Sequence, residues 1–509
     1  MKLSYYFRGF SFRGFRMRRM NWNELMCAGR ARDNGTRKSS GTDPRSEFEK
    51  DYQRIVSSAA FRRLQDKTQV FPLDKSDFIR TRLTHSLEVA NFARSIGKML
   101  GSRLIEEEKD PDFTEKTRED ITAVLECAGL LHDIGNPPFG HFGEDTIRDW
   151  FKNNLCKIEY GDGTLADQLT KQQLEDFYNF EGNTQALRVV TKLHFMVDSN
   201  GMNLTSALLA TIMKYPGSSL EIKYDKKDPQ RDIARKKMGY FYADRDIYNM
   251  VSESCGTYGR RHPLAFALEA ADDIAYRTAD IEDAVKKGLI DISTLAEEIK
   301  IAMDKARIEE FAGNVDNSEQ IKKTQWFLDK MMRYYDRAKE SGYNDPNLYA
   351  IQNVIVRIQG AMLTNAVDSF VNNYDSIMDG TYRKELLSGT DGQLMMDILG
   401  DVAYRYAFTT EPILKLEVAA NTIFSFLLDK LVNALKYYDT PDWNSKSSSV
   451  DKKMVGIISS SFVQNYKFFS QGCSEQEKLY LRLLLATDFV SCMTDSYAKR
   501  LYQELNGII

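Results

Sequence analysis

Two residue types that bind divalent metals stand side by side at His132 and Asp133. Neutral imidazole and carboxylate are both ligands of borderline and hard divalent cations. The dipeptide alone is common by chance, and a hydrogen-bonded helix end is its simpler explanation. His141 and Glu144 follow shortly after, three positions apart, and would add acid and base groups beside a metal. This stretch predicts hydrolytic chemistry only if other segments complete a metal site.

The residues around this dipeptide predict how it is positioned. Apolar residues recur at helical spacing over residues 121–131, so a helix should pack inward and end at His132 and Asp133. Two consecutive prolines then forbid further helix. We therefore expect His141 to lie in a loop that closes on a bound phosphate.

Two further helices are predicted to supply the remaining ligands. Thr84 is expected to cap a helix whose first turn presents His85. Farther along the chain, Asp272, Tyr276 and Asp280 recur every four residues, which places them on one face of a helix. The residues that flank them are too apolar for a surface helix, and a buried carboxylate is costly unless it is paired or bound to a cation.

Four residues form a candidate metal set: His85, His132, Asp133 and Asp272. Two histidines and two aspartates leave coordination positions free for water and a phosphate oxygen, as a hydrolytic metal requires. Their order, H…HD…D, resembles the pattern of the HD-domain metal phosphohydrolases. The neighbouring Asp273 is expected to point away from the site.

A closer resemblance is to the deoxyguanosine triphosphate triphosphohydrolases. It spans about residues 45–285 in the expected order, while Asp488–Tyr497 fits more loosely. The segments that carry it, besides the HD motif, are Ser57–Leu73, Arg80–Ser86, Phe180–Arg188 and Glu269–Tyr276. The resemblance implies an all-α fold, namely an HD-domain helical bundle with additional C-terminal helices.

The bound triphosphate would bring about four negative charges into a site that is otherwise acidic, so cations beyond the metal are needed. The resemblance places phosphate-contacting lysines near Lys214 and Lys237. Both could instead be solvated surface lysines, and the adjacent Lys236 leaves the register of the second open. Arg82, one turn before His85, is the third candidate for the phosphates, because the motif fixes its position relative to the metal ligand.

Sugar recognition is implied by the same resemblance. In similar proteins a tyrosine that matches Tyr276 packs against C2′ of the sugar, while residues that match Asp280 and Gln69 bond the 3′-hydroxyl. A ring at the place of a 2′-hydroxyl would penalise ribonucleotides. The alternative for Tyr276 is a core aromatic residue with a satisfied hydroxyl.

The implied reaction is metal-dependent attack of water at the α-phosphorus of a deoxynucleoside triphosphate, with dGTP as the first choice, releasing deoxynucleoside and tripolyphosphate. The expected metal is Mg²⁺ or Mn²⁺, although other transition metals are possible. Similar enzymes assign to the pair that matches His141 and Glu144 either activation of water or protonation of the leaving 5′-oxygen. The sequence does not choose between these roles, and it does not determine the base specificity.

Two other functions remain open at this point. The first is a different HD-type nucleotide phosphohydrolase with the same metal and another cleavage point, which the product would reveal. The second is a catalytically silent sensor of nucleotide or single-stranded DNA, which a degraded metal set would support.

Composition agrees with one large helical domain. The chain has 509 residues and only 11 prolines, and we expect residues 20–509 to form a single domain with its HD core at about 45–285. Residues 1–19 contain six Lys or Arg and no acid. They are expected to be a poorly ordered basic extension, or alternatively an arm that binds nucleic acid. The regions 107–120, 216–236 and 440–454 are expected to be surface loops.

Location and partners are also predicted. Six cysteines without a C-x-x-C pair indicate free thiols in a reducing cytosol, so the protein is expected to be cytoplasmic. No apolar run approaches the roughly 20 residues of a membrane span. The resemblance implies a homo-oligomer, with a hexamer first, in which exposed apolar residues of the 350–500 region pack between subunits. It also suggests single-stranded DNA as a possible effector.

Overall fold

The computed structural model describes residues 18–32, 43–71, 78–194, 198–225, 227–228, 231–311 and 316–508. Within these residues the chain is almost wholly α-helical, which confirms the all-α fold. Most of the predicted basic extension, residues 1–17, lies outside the described residues. Arg19, at its end, donates to the Asp375 carboxylate at 2.7 Å.

The described elements are helices with one small hairpin. The α-helices, in chain order, are α1 Trp22–Leu25, α2 Glu47–Val56, α3 Ala59–Arg63, α4 Arg82–Glu106, α5 Glu115–Leu131, α6 Gly140–Asn154, α7 Lys171–Tyr178, α8 Gly182–Arg188, α9 Ser206–Ile212, α10 Arg245–Ser254, α11 Pro263–Lys286, α12 Ile292–Phe311, α13 Ser318–Glu340, α14 Pro346–Asn372, α15 Tyr374–Met378, α16 Gln393–Ala403, α17 Glu411–Leu435, α18 Trp443–Lys446, α19 Ser449–Ile457, α20 Ser460–Phe469, α21 Glu475–Ser491 and α22 Asp495–Leu505. Short 3₁₀ turns cover Leu64–Asp66, Ala166–Gln168, Ser219–Glu221, Ile233–Arg235 and Tyr242–Asp244, and π-helical turns cover Val189–Leu193 and Tyr404–Phe408. The hairpin pairs β1 Glu159–Tyr160 with β2 Gly163–Thr164 in antiparallel register.

Helices α4, α5 and α11 pack together at the centre of the HD core. The first two approach each other closely where α5 carries Gly129, because a Cβ there would lie 2.5 Å from the Cα of Ala90. Any larger residue at this crossing would force the two helices apart. The packing brings together His85 from α4, His132 at the end of α5 and Asp272 from α11.

The caps of these helices follow from local sequence, with one correction. Thr81, and not Thr84, is the N-cap of α4. Thr84 is the third helical residue and completes a capping box, with its hydroxyl 3.0 Å from the amide of Thr81. His85 therefore ends the first turn. His262 caps α11 by accepting a hydrogen bond from the amide of Leu264 at 3.2 Å.

The three expected surface loops are only partly loops. Thr114 starts α5 inside the region 107–120, and Ser448 starts α19 inside 440–454, in both cases through a capping box. The region 216–236 lacks an α-helix in its described part, but it contains the buried Ser219. The expectation of a loop was wrong where a capping residue starts a helix within a polar stretch of sequence.

One helix among the described residues, α17, is long and apolar enough to cross a membrane by length and composition. Half of its most apolar stretch is buried inside the protein. The buried side packs against α6, α19 and α21, and includes Phe424, Leu428 and Leu431. Packing within the protein therefore accounts for much of its apolar character.

Candidate active site and metal centre

Three of the four predicted metal ligands lie together. The Nε2 atoms of His85 and His132 lie 3.3 and 3.4 Å from Oδ1 of Asp272, and the three ligand atoms are all within 4.8 Å of one another. Nδ1 of His132 lies 2.7 Å from the carbonyl of Gly129, so Nδ1 donates its proton there and Nε2 is the nitrogen that a neutral imidazole would offer to a cation. That Nε2 is buried and has no hydrogen-bond partner. A buried acceptor nitrogen that faces a carboxylate fits a divalent cation between them.

The fourth predicted ligand, Asp133, lies beside this group. Its Oδ2 is 3.6 Å from Nε2 of His132. The carboxylate accepts hydrogen bonds from Nη1 of Arg82 and Nδ2 of Asn136, both at 2.5 Å. Although burial opposes it, the charge of Arg82 holds the pKa of Asp133 well below its usual range. Asp133 is thus ionised and oriented, and Arg82 is already ion-paired before any phosphate arrives.

Lys214 is buried and is not a solvated surface lysine. Its Nζ lies 2.9 Å from Oδ2 of Asp272, on the opposite carboxylate oxygen from the two histidines. Burial alone would disfavour both charges, but each stabilises the other, so the pKa of Asp272 is well below and that of Lys214 above the ordinary value. The two groups therefore form a fixed ion pair beside the two histidines.

His141 and Glu144 form a bonded pair at the start of α6. Nδ1 of His141 lies 3.0 Å from Oε2 of Glu144. The other carboxylate oxygen, Oε1, accepts a hydrogen bond from the backbone amide of Gly182 at 2.7 Å. The hydrogen bond to Glu144 raises the pKa of His141. Burial opposes ionisation of Glu144, yet its bond to His141 lowers its pKa to about 2. The His141 side chain is 80% exposed while that of Glu144 is 1% exposed, so the imidazole faces the opening.

The expected loop position of His141 was wrong, because it lies in the first turn of α6. Two left-handed residues, Phe139 and Gly140, both with φ of 62°, turn the chain sharply enough to start a helix directly after the prolines. A Cβ at Gly140 would lie 2.7 Å from Nη2 of Arg82, so only glycine fits there without displacing the guanidinium.

These groups open into a cavity of about 430 Å³. Its wall includes ten of the predicted site residues; the other two, His132 and Glu144, are buried and do not line it. The ten are Gln69, Arg82, His85, Asp133, His141, Lys214, Lys237, Asp272, Tyr276 and Asp280. The sequence therefore identified most of the polar wall, although contact does not by itself assign a role.

Lys237 and its neighbour Lys236, which the sequence could not tell apart as the phosphate-contacting lysine, both line the cavity. Lys237 pairs with Glu181 at 2.7 Å, whereas Lys236 lies over the ring of Tyr224, with Nζ 5.8 Å from its centroid. Glu181 also accepts a hydrogen bond from Nδ2 of the Asn183 side chain at 2.7 Å. Lys237 is thus held toward the HD core, while Lys236 is held by an aromatic side chain of the preceding segment.

Two acceptors in the cavity wall lack partners. Oε1 of Gln69 and Oδ1 of Asp280 are buried and form no hydrogen bond. Burial raises the pKa of Asp280 well above its usual range. Nearby, the hydroxyl of Tyr276 accepts from Nε of Arg277 at 3.1 Å. Unpartnered buried acceptors are uncommon and indicate a place for a donor from a ligand.

Sequence reasoning missed several wall residues. The expectation that Asp273 points away is wrong, because it lines the cavity and burial raises its pKa to about 8. Its helical neighbours Glu269 and Arg277, four positions to either side, also line the wall. The four-residue spacing could have revealed these three. Glu385 and Phe408 also line it, and no local pattern signals them because they come from distant segments.

The helical core and this histidine–aspartate centre define an HD-domain protein. The model of the HD domain matches residues 82–219. A deoxyguanosinetriphosphate triphosphohydrolase-like protein of Listeria monocytogenes is 44% identical over 492 residues, which cover 96% of this chain and 100% of that protein. A probable deoxyguanosinetriphosphate triphosphohydrolase of Pseudomonas aeruginosa is 33% identical, covering 91% and 93%. The deoxyguanosinetriphosphate triphosphohydrolase of Klebsiella pneumoniae is 30% identical, covering 91% and 94%. The chain belongs to the deoxyguanosinetriphosphate triphosphohydrolase family within the HD-domain proteins.

Proposed function

We propose that this protein hydrolyses deoxynucleoside triphosphates, dGTP first, to deoxynucleoside and tripolyphosphate. The observation that carries the proposal is the buried Nε2 of His132, which has no hydrogen-bond partner and faces Asp272. The adjoining cavity wall contains Lys214 and Lys237 as well as the unpartnered acceptors of Gln69 and Asp280. This combination suits a ligand with phosphates and a hydroxyl-bearing sugar. The family relatives support the same substrate class.

The metal would be held by His85, His132 and Asp272, with Asp133 beside them, and would be Mg²⁺ or Mn²⁺. It would act as a Lewis acid toward a phosphate oxygen. The ion pair of Lys214 with Asp272 keeps the carboxylate ionised and in place for a cation. We assign the ligands on this donor chemistry, because two imidazole nitrogens and a carboxylate oxygen suit a borderline or hard divalent ion.

Three cations would neutralise the triphosphate: Arg82, Lys214 and Lys237. Each is paired with a carboxylate already, at Asp133, Asp272 and Glu181 respectively. These pairs hold the cations in position without ligand, so binding costs less side-chain entropy than it would with free lysines. Because phosphate oxygens accept the same hydrogen bonds, the cations can bridge from carboxylate to phosphate.

His141 would move the proton. Attack of water at the α-phosphorus forms one P–O bond and breaks the bond to the 5′-oxygen, so one proton leaves water and one reaches the leaving oxygen. An exposed imidazole whose other nitrogen is bonded to the ionised Glu144 can accept or donate that proton at Nε2. Glu144 orients the ring and stabilises its charged form.

The sugar would meet Gln69, Tyr276 and Asp280. The 3′-hydroxyl can donate to one unpartnered acceptor and accept from Asp280 when its carboxyl is protonated, which its raised pKa favours. The ring of Tyr276 would occupy the space of a 2′-hydroxyl, so ribonucleotides should be disfavoured.

Assembly and location complete the proposal. We propose a homo-oligomer, with a hexamer first, in the cytoplasm, and single-stranded DNA as a possible effector. Among the described residues of the 350–500 region, Val356, Tyr404 and Val418 are 64, 64 and 68% exposed, which supports contacts between subunits. Light scattering at assay concentration should show an oligomer, and a monomer alone would contradict this part.

The products test the proposal. Each of the four deoxynucleoside triphosphates is incubated with Mg²⁺ or Mn²⁺ and the products are resolved by chromatography. The expected result is deoxynucleoside with intact tripolyphosphate. Release of pyrophosphate or orthophosphate would instead indicate an HD phosphohydrolase with another cleavage point, and nucleotide binding without turnover would indicate a sensor.

A further inference from the structure

The C-terminal helix α22 contacts, through one carboxylate, two segments that carry residues of the cavity wall. Asp495, its first residue, is 1% exposed. Its Oδ2 accepts from the amide of Thr68 at 3.0 Å and from the Thr68 hydroxyl at 2.5 Å, and its Oδ1 accepts from the amide of Phe139 at 3.0 Å. One side chain therefore joins two segments that lie 71 positions apart in the chain.

Each of these segments carries a candidate substrate-contacting residue within two positions of the bond. Thr68 precedes Gln69, whose Oε1 is one of the unpartnered acceptors of the cavity. Phe139 opens the left-handed turn that starts α6, and His141 lies two residues later. The Phe139 side chain gives no cap to this helix, and its backbone amide donates to Asp495 instead.

A second contact from the same C-terminal segment strengthens this link. Lys67 is buried, and its Nζ donates to the carbonyl of Ser491 at 2.9 Å and to the carbonyl of Asn136. The amide of Arg82 in turn bonds the carbonyl of Lys67 at 2.9 Å. Hydrogen bonds from the end of α21 and the start of α22 thus connect the turn between α5 and α6, at residues 136–139, with the segment before α4.

We infer that Asp495 is a positioning residue that sets the distance between the Gln69 side chain and the His141 imidazole. The inference rests on the proposed function, because it assigns these two residues to the sugar and to proton transfer. Asp495 touches neither substrate nor metal in this scheme. It holds two backbone segments so that a nucleotide bonded through its 3′-hydroxyl presents its 5′-oxygen to His141.

The isosteric change Asp495→Asn tests this directly. An amide keeps the size but has one acceptor oxygen and one NH₂ donor, so either Thr68 or Phe139 must face a donor. We expect the preference for dGTP over 2′,3′-dideoxy-GTP, measured as the ratio of kcat/KM, to fall about tenfold, and kcat with dGTP to fall by a similar factor. The same loss of preference should appear in the dissociation constants of non-hydrolysable analogues of the two nucleotides.

Asp66→Asn is the matched control. Asp66 accepts a hydrogen bond from the hydroxyl of Ser496 at 2.8 Å. This exposed bond links α22 to the segment that contains Thr68, as Asp495 does, but it does not involve Phe139. The Asp66→Asn variant should keep the wild-type preference for dGTP over 2′,3′-dideoxy-GTP. The metal content should be unchanged in both variants. A wild-type preference in a folded Asp495→Asn variant would overturn the inference.

Thr68→Val decides the question if Asp495→Asn does not fold. It removes only the hydroxyl donor to Asp495, and a smaller loss of preference in the same direction is expected. An unchanged preference in this variant would overturn the inference. Failure of wild-type protein to hydrolyse dGTP would count against the proposed function, whereas wild-type hydrolysis with an unaffected variant counts only against Asp495.

Discussion

The two ends of the cavity differ in how their polar groups are satisfied. At the metal end, the charged side chains are paired before any ligand binds, Lys214 with Asp272 and Arg82 with Asp133, and the atom left without a hydrogen-bond partner is the candidate metal-binding Nε2 of His132. At the end proposed to bind the sugar, called the sugar end below, Gln69 and Asp280 each keep a buried acceptor without a partner. Paired charges need no reorganisation during a reaction, while unpartnered acceptors favour a ligand that supplies the missing donor. The first end is suited to turnover and the second to selection among substrates.

Loss of a metal ligand should have the largest effect. His132→Ala or Asp272→Ala should abolish metal uptake and hydrolysis together, because water cannot replace one of so few ligands. Metal content by mass spectrometry and turnover of dGTP measure the two effects. His194→Ala is the control of the same residue type, since His194 lines a different, smaller cavity. Normal metal content with normal turnover in either ligand variant would remove the metal assignment.

Loss of the imidazole should affect turnover and spare binding. His141→Ala should keep its metal and bind nucleotide, while kcat falls by roughly 10²–10⁴, the usual contribution of a positioned acid or base. Glu144→Ala should lose less. The double variant should lose little beyond His141→Ala, because partners that act as a unit are not additive.

Near-normal turnover in His141→Ala would exclude the histidine from proton transfer. Multiplicative losses in the double variant would instead give Glu144 a separate role.

The pH dependence sharpens the same assignment. The bond to Glu144 raises the pKa of His141 above 6.5, so its imidazole stays protonated to higher pH. Glu144, with a pKa of about 2, is ionised throughout the assay range. The Glu144→Gln variant lacks the carboxylate charge that raises the pKa of His141. The limb of the pH profile of kcat that reports His141 should therefore move to lower pH. This direction holds whether the histidine acts as acid or base, and an unmoved limb would contradict the coupling.

Sequence predicted the two ends unequally. The metal end comes from short motifs that the sequence displays in the order H…HD…D: His85 lies in the first turn of α4, His132 at the end of α5 and Asp272 within α11. The far wall draws on Glu385 and Phe408, which reach the cavity only through the packing of the whole chain. Similarly, local pattern predicted the helices but not the left-handed turn before α6, where the amide of Phe139 donates to Asp495 of the C-terminal helix.

Changes at the sugar end should alter selection more than rate. Tyr276→Ala should reduce the preference for dGTP over GTP by about 10–100-fold, the range for a few atoms in a closed pocket. The ratio of kcat/KM for the two nucleotides measures it. If Tyr276 is only a core aromatic residue, the variant should instead lose stability while the ratio stays constant.

Gln69→Met should produce the smallest effect of this series. The side chain keeps its approximate volume and loses its amide, so one hydrogen bond to the 3′-hydroxyl is removed. We expect KM for dGTP to rise about 3–10-fold with little change in kcat, in line with about 0.5–1.5 kcal/mol for such a bond. An equal change for dideoxy-GTP would show that Gln69 does not contact the 3′-hydroxyl.

The most direct test of the central claim is hydrolysis of dGTP in ¹⁸O-labelled water. Attack at the α-phosphorus predicts one ¹⁸O atom in the released tripolyphosphate and none in the deoxyguanosine, as read by mass spectrometry. Label in the 5′-hydroxyl of the deoxyguanosine would show cleavage on the carbon side of the 5′-oxygen. Labelled orthophosphate or pyrophosphate would show attack at another phosphorus, and either result would contradict the proposed reaction.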